Sequence, residues 1–249
     1  GTPTTGIDHI DVNYCEEKGI EIICLKGEKI LEEFTSTSEL TIWFLLELSR
    51  KCSKFVGQVK NRNWDRYQFE SLNLRNKTLG IIGLGRIGCQ VAVIGNALGM
   101  KVIGFDIGVT PHPSFVSLKK SPNEIFKESD FVSVHIDDRP SNSEIINSEM
   151  FDHITHIKFG LINTSRGFII NENDLIQYIR NGKIAFYATD VLKNEESSNY
   201  EWLNTNNVFL ESLLNDNIII SPHIGGASKE NMFLAEENIL NRLTKTIVR

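Results

Sequence analysis

From Leu79 to Ile82 the chain is unbroken hydrophobic and small, the pattern of a short strand buried on both faces. The period then changes. Ile87, Val91, Ile94 and Leu98 recur at helical spacing and give one apolar face, Gly99 is placed as a C-terminal stop, and a second run, Lys101 to Phe105, ends on Asp106. Downstream, the pattern predicts strands at Phe131–Ile136, Phe159–Ser165, Ile184–Val191 and Asn217–Ile220. Between them it predicts helices at Pro122–Glu128, capped by Ser121, at Asn147–His153 and at Glu172–Arg180, the last ended by Asn181 and Gly182. Upstream, a polar loop over residues 1–11 leads to a short helix, Asp11–Lys18, and a strand, Glu21–Leu25. One long helix is predicted from Thr35 to about Val59, with Ser36, Thr37 and Ser38 as candidate caps. Its residues Leu40, Ile42, Trp43, Phe44, Leu45 and Leu48 make it apolar around most of its circumference. The segment Asn61–Asn76, polar with Trp64, Tyr67 and Phe69 embedded, reads as a loop over a partner surface. Residues 194–217 read as a surface excursion with a short helix around Phe209 to Leu214, and Ser228 to about Ile247 as a final helix. Strands alternating with helices predict an α/β fold built on a doubly wound parallel sheet.

Between the first of these strands and its helix stand Gly83, Gly85 and Gly88, spaced G-x-G-x-x-G. Gly83 allows a tight turn out of the strand, Gly85 lets backbone approach a pyrophosphate, and Gly88 lets the helix pack close to the sheet. The helix N-terminus then offers N–H groups to the anion. Asp106, 23 positions beyond Gly83, is placed to accept hydrogen bonds from an adenosine ribose diol. A 2′-phosphate meets that carboxylate's charge, and Ile107, Gly108, Val109 and Thr110 supply no arginine to offset it. NAD is therefore expected over NADP. A lone glycine fingerprint is a weak signal, but strand, glycines, amphipathic helix, strand and terminal acid together are strong.

Composition narrows the partners. The 249 residues are 41% hydrophobic and 23% charged, with a net charge of −6 and no Lys/Arg cluster, which argues against nucleic acid. No apolar run is long enough to span a membrane. Cys15, Cys24, Cys52 and Cys89 lack metal-ligand or disulfide-frame spacing and read as buried thiols of a reducing, cytoplasmic setting. The chain opens on Gly1 within a motif and without methionine, which points to a piece of a longer protein.

Ligands of open α/β sheets bind outside the carboxyl ends of the strands. Three such ends carry candidate chemistry: Arg166 after LINTS, Asp190 and Glu195 after IAFYAT, and His223 after IIISP. An arginine can grip a carboxylate and polarise a neighbouring carbonyl. A histidine can give or take a proton at a carbinol oxygen, and a carboxylate beside it orients it and raises its pKa. Asp190 could accept from a nicotinamide carboxamide. Each residue taken singly has a plainer reading: a surface cation, a solvated acid, a histidine satisfied in a turn.

The words LGIIGLGRIG, INTSRG, the D-V-x-x-x-E of Asp190 to Glu195, SPHIGGASKEN and STSELTIWFLLELSRK, in this order from Thr5 onward, resemble the D-isomer-specific 2-hydroxyacid dehydrogenases. The resemblance implies Arg166 as substrate-carboxylate anchor, His223 as acid/base and Glu195 as its partner. It implies Asp190 at the nicotinamide and the Gly83–Gly88 loop, with Arg86 and Ile87, at the pyrophosphate. His135, Thr164, Gly225 and Gly226 are the further cofactor-side candidates, and the loop TTGIDHID points to Thr5 and Gly6 for the substrate carboxylate. The implied activity is NAD-dependent interconversion of a D-2-hydroxy acid and its 2-keto acid, without a metal. Formate dehydrogenases of this fold use glutamine where Glu195 stands. A co-repressor branch keeps the same three residues, so a dinucleotide-sensing binding protein, or an isolated NAD-binding module, is the alternative.

The family places a complete flavodoxin-like substrate domain before the long helix, yet only about a third of the roughly 100 residues such a domain needs precede Thr35. Residues 1–34 thus read as a remnant of that domain, to which the helix over 228–249 returns, and 35–227 as the NAD-binding Rossmann domain. The family proline that follows the strand histidine is replaced by Asp137 and Asp138 in HIDDRP, on the adenine side. The long helix lies at a two-fold interface in the family, so a homodimer is expected.

Overall fold

The changes of period along the chain become elements largely where the pattern places them. The computed structural model of the protein describes residues 1–7, 9–67, 71–108, 111–195 and 199–247; Phe69, Val109 and Thr110, used above, lie outside the described residues. In chain order the elements are α1 (Val12–Glu17), α2 (Ser36–Arg50), α3 (Cys52–Lys60), β1 (Thr78–Ile82), α4 (Arg86–Ala97), β2 (Lys101–Phe105), β3 (Ser117–Leu118) and α5 (Pro122–Glu128). They continue with β4 (Phe131–Val134), α6 (Ser148–Phe151), β5 (Gly160–Asn163), α7 (Glu172–Arg180), β6 (Phe186–Thr189), α8 (Asn207–Ser212), β7 (Ile218–Ile220) and α9 (Lys229–Ile247). The chain divides into two compact units, Ser38–His223 and Gly1–Thr37 with Ile224–Arg249.

In the larger unit the seven strands form one parallel sheet in the order β3-β2-β1-β4-β5-β6-β7. The order reverses between β1 and β4, as in a doubly wound sheet. Strands β4, β5 and β6 are buried along their whole length, so helices must cover both faces. Two apolar cores result. One joins Leu79, Ile81 and Phe131 to Val91 and Ala92 of α4 and to Phe44, Leu45 and Leu48 of α2. The other gathers Val132, Leu161 and Tyr187 with Phe126, Phe151, Leu175 and Val208. Burial at about 25 cal/mol per Å² of apolar area makes these the dominant favourable contribution to the fold.

The structure departs from the sequence-based elements in several places. The helix expected from Thr35 to Val59 is two helices, because Lys51 between α2 and α3 adopts a left-handed φ of 53°. The cause is Glu47, buried on α2, whose carboxylate accepts the Ser53 amide at 3.0 and 3.2 Å and so starts α3. The segment Glu21–Leu25 is not a strand: it pairs with the N-terminal residues through isolated backbone bonds, from the Thr2 amide to the Ile23 carbonyl and from the Leu25 amide to the Thr4 carbonyl, both 2.9 Å, without forming a ladder. Strand β3 is too short for its pattern to register. The cysteines are not buried thiols: Cys52 is exposed and the other three are partly exposed.

In the smaller unit, Ala235 and Ile239 of α9 bury against Ile23 and Leu25, with Ile30, Leu31, Phe34 and Leu243 around them. Arg242 donates to the Cys24 carbonyl at 2.6 Å and pairs with Glu28 at 3.3 Å. No helix among the described residues is long and apolar enough to cross a membrane.

Candidate active site

Parallel pairing sets the site's first property. Ile82 is in register with Phe105 on one side and Val134 on the other, Val134 with Asn163, Asn163 with Thr189, and Thr189 with Ile220. The residues one step beyond, Gly83, Asp106, His135, Thr164, Asp190 and Ser221, therefore form a row along the carboxyl edge of the sheet. Five of these six are sequence-predicted site positions; Ser221 is not. Arg166 and His223 lie two residues past their row members.

At the switch between β1 and β4 the glycine loop is sterically forced. Gly83 has φ +94°, and a Cβ there would lie 2.4 Å from the His135 carbonyl oxygen; at Gly88 it would lie 2.0 Å from the Gly83 oxygen. A Cβ at Gly85 would meet nothing within 4 Å, so the space in front of the loop is open. Helix α4 begins at Arg86 with Gly85, which has no side chain to cap it, as its N-cap, so the helix presents its N-terminal end to that open space. Open space and a helix N-terminal end fit a dinucleotide pyrophosphate. Arg86 and Ile87 are partly buried in that first turn, where loss of solvation lowers the Arg86 pKa.

Asp106 does more than the sequence suggests. Its Oδ2 accepts the Leu84 amide at 2.7 Å and its Oδ1 the Gly108 amide at 2.8 Å. The carboxylate thereby ties the glycine loop to the end of β2, and each oxygen keeps acceptor capacity for a ribose hydroxyl. Residues beside Asp106 supply no arginine, but Arg139 arrives from beyond β4. Its guanidinium is clasped by Asp137, Nε to Oδ1 at 2.7 Å with a second Nη2–Oδ2 contact, and Asn142 donates to the same Asp137 at 2.8 Å. The Asp137 hydrogen bond and charge raise the Arg139 pKa, with a smaller contribution from Asp106. The arginine is thus committed to a carboxylate of its own. Parallel titrations are expected to show NADPH binding roughly tenfold or more weakly than NADH, because like charges brought together cost several kcal/mol; equal affinities would refute the Asp106 argument.

His135 shares a 2.8 Å hydrogen bond with Ser133 through Nε2, and loss of solvation pushes its pKa down to about 3, so the ring is neutral. Thr164, buried, pairs its hydroxyl with that of Thr41 at 2.9 Å. The loop after β5 is stapled by the fully buried Asn163, which donates to the Arg166 carbonyl at 3.0 Å and accepts the Ser165 amide at 3.0 Å. Arg166 leaves this loop in extended backbone, with Nη1 donating to the Ser165 carbonyl at 2.9 Å.

Past β6 and β7 the remaining groups converge. Asp190, 2% exposed, accepts the Ser221 hydroxyl on Oδ1, while its carbonyl accepts the His223 amide at 2.9 Å. That amide also reaches the Ser221 carbonyl at 3.0 Å, and His223 sits at φ +52°. A left-handed non-glycine residue costs on the order of 1 kcal/mol and is typical of functional sites. His223 Nδ1 meets Glu195 Oε1 at 2.5 Å, which leaves Nε2 for an incoming group. The Glu195 hydrogen bond raises the His223 pKa, against burial; the Glu195 and Asp190 charges add to the rise and the Arg166 charge opposes it. Arg166, Asp190 and Glu195 are therefore each close enough to act on His223. Such a site can hold an anion, orient an imidazole and move a proton at one oxygen.

The sequence reading missed Asn163, Ser133 and Ser221, each an ordinary polar residue whose partner lies on another element or two positions along a strand. Ser221 could have been found by aligning strand ends, since it stands in the row beside Asp190. Thr5, Gly6, Gly225 and Gly226 belong to the smaller unit. There Gly6 accepts the Thr4 hydroxyl at 2.7 Å and Gly225 accepts the Thr37 hydroxyl at 3.0 Å, both on carbonyl oxygens.

Residues 42–225 match the sequence model of the NAD-binding domain of D-isomer-specific 2-hydroxyacid dehydrogenases. The chain is 30% identical to D-3-phosphoglycerate dehydrogenase of Methanocaldococcus jannaschii over 99% of its own length and 45% of that protein's. It is 33% identical to hydroxypyruvate reductase of Thermotoga maritima, over 90% of its length and 69% of that protein's. Among solved structures, D-lactate dehydrogenase of Aquifex aeolicus complexed with NAD and lactic acid superposes with a TM-score of 0.82 at 30% identity, covering 99% of this chain and 75% of that one. The chain thus spans under half the length of the phosphoglycerate dehydrogenase it matches.

Proposed function

This chain belongs to the D-isomer-specific 2-hydroxyacid dehydrogenase family, and on that premise we propose that it works as an NAD-dependent oxidoreductase interconverting a D-2-hydroxy acid and its 2-keto acid. The observation that carries the reading is the 2.5 Å His223–Glu195 contact, set beside Asp190 and Arg166 at adjoining strand ends. When bound, the cofactor would supply redox chemistry, NADH giving a hydride to the substrate's C2 in reduction and NAD+ taking one in oxidation. Arg166 grips the substrate carboxylate and draws charge from the neighbouring carbonyl through its fork of donors. His223, whose protonated form Glu195 favours, gives its Nε2 proton to the carbonyl oxygen during reduction and takes it back during oxidation. Asp190 would hold the nicotinamide by accepting from its carboxamide.

A panel of pyruvate, hydroxypyruvate, glyoxylate, 3-phosphohydroxypyruvate and 2-oxoglutarate, followed by NADH absorbance, tests this. Turnover on any member supports the enzyme. Tight NADH binding with turnover on none of the five supports the second reading, a dinucleotide-binding module or sensor.

Assembly as a homodimer is part of the same reading. Trp43 and Leu46 of α2 stay 43% and 38% exposed, and Val56 and Val59 of α3 lie 53% and 50% exposed. Large apolar side chains left open on one helix pair mark an interaction surface, and an isologous contact between two copies covers it most simply. Light scattering at micromolar concentration is expected to give a dimer that Trp43→Glu dissociates; a monomeric wild type removes the proposal.

A further inference from the structure

Glu195 reaches His223 from a loop that is held in place elsewhere. Beyond β6 the chain runs to Lys193 and turns through Asn194, whose φ is +59°, a conformation asparagine tolerates better than most residues. The Lys193 amide donates to Oε1 of Glu172, in the first turn of α7, at 2.8 Å. The same carboxylate accepts Nδ2 of Asn206 at 3.4 Å on Oε1 and 3.1 Å on Oε2, and that Nδ2 also reaches the Lys193 carbonyl at 3.3 Å. Asn206 is itself buried and fixed, because its Oδ1 caps α8 by accepting the Phe209 amide at 2.9 Å. The Lys193 side chain pairs with Glu144 at 2.5 Å. Gly167, next to Arg166, completes the clamp. The Leu192–Lys193 peptide lies so near it that a Cβ would fall 2.0 Å from the Leu192 carbonyl carbon and 2.4 Å from the Lys193 nitrogen.

Helix α7 does not need Glu172 as its cap. Asn171 already accepts the Asn173 and Asp174 amides, both at 3.1 Å. Removing a carboxylate even partly from water is costly unless its oxygens are filled, and the groups that donate to the half-buried Glu172, the Lys193 amide and Asn206, belong to the segment that presents Glu195 or follows it. We infer that Glu172 and Asn206 are positioning residues: they fix the Lys193 backbone so that the Glu195 carboxylate meets His223 Nδ1. This rests on reading His223 and Glu195 as the acid–base pair. A 2.5 Å contact made two residues from the anchor point is sensitive to displacements well under 1 Å, the tolerance such sites require.

The test reads the contact directly and needs no substrate. The midpoint of the His223 imidazole is followed by NMR titration, with its signal assigned by loss in His223→Ala and with Glu195, Asp190 and Arg166 intact around it. Glu195→Gln gives the reference shift to lower pH. Asn206→Ala, which changes no charge, and Glu172→Gln are expected to move the midpoint the same way. The double variant Glu172→Gln, Asn206→Asp exchanges donor and acceptor across the clamp, keeps an α8 cap, and is expected to return it toward wild type. Thermal unfolding of each variant establishes that it is folded; if Glu172→Gln does not fold, Asn206→Ala carries the comparison. A midpoint that falls in Glu195→Gln but stays at wild type in folded Asn206→Ala and Glu172→Gln overturns the positioning role alone. A midpoint unmoved by Glu195→Gln overturns the acid–base pair and, with it, the clamp's purpose.

Discussion

His223→Ala is expected to lose roughly two to four decades of turnover in the whole enzyme, the usual scale for a general acid–base group, while NADH affinity stays at its wild-type value. The split follows from geometry. Nδ1 is committed to Glu195, and the amides and glycines of the Gly83–Gly88 loop come from other strand ends. Wild-type turnover in this variant would sink the assignment. The pH dependence has a definite sign. Glu195 raises the His223 pKa above 6.5, so imidazolium persists to higher pH than in a free histidine. Reduction of a keto acid needs that proton; its kcat/KM is expected to be level at low pH and to fall as pH rises through the raised value. Oxidation shows the opposite trend. Glu195→Gln shifts the limb to lower pH. Because the folded-state pKa is the higher one, the contact also contributes stability that is fully present below about pH 6.5 and is lost as pH rises through the folded value.

Arg166→Lys is expected to lower kcat/KM for the keto acid by about tenfold to a hundredfold, the worth of one charged hydrogen bond at roughly 1.5–3 kcal/mol. Lysine keeps the positive charge but not the planar fork that meets both carboxylate oxygens. The loop backbone is held by Asn163 at the Ser165 amide and the Arg166 carbonyl, in addition to the guanidinium's own bond to the Ser165 carbonyl, so the variant is expected to stay folded and the effect to fall on substrate. Steady-state kinetics at saturating NADH decide it: unchanged kcat/KM would take Arg166 out of the substrate site.

The glycine loop, the helix behind it and the strands around it were legible because their signals are local. A period of two or 3.6 residues and a Gly83 turn are written within a few positions of one another. The alternation of such units also implied the parallel sheet, and the order of strand ends pointed to Arg166, Glu195 and His223 as candidates. Tertiary structure decided everything that depends on which element lies next to which. Glu47 breaks the expected long helix at Lys51 by capping α3, a choice no helical pattern records. Sheet register puts Ser221 beside Asp190, and the segment after β4 brings Arg139 within electrostatic reach of Asp106. Glu172 and Asn206, 34 positions apart, meet because α7 and the segment before α8 close on Lys193, the one at its amide and the other at its carbonyl. Hydrophobic periodicity selects the elements, since burial is summed over many residues along one face. The contacts that orient single polar groups are set by the packing of those elements, and their partners carry no local signal in the chain.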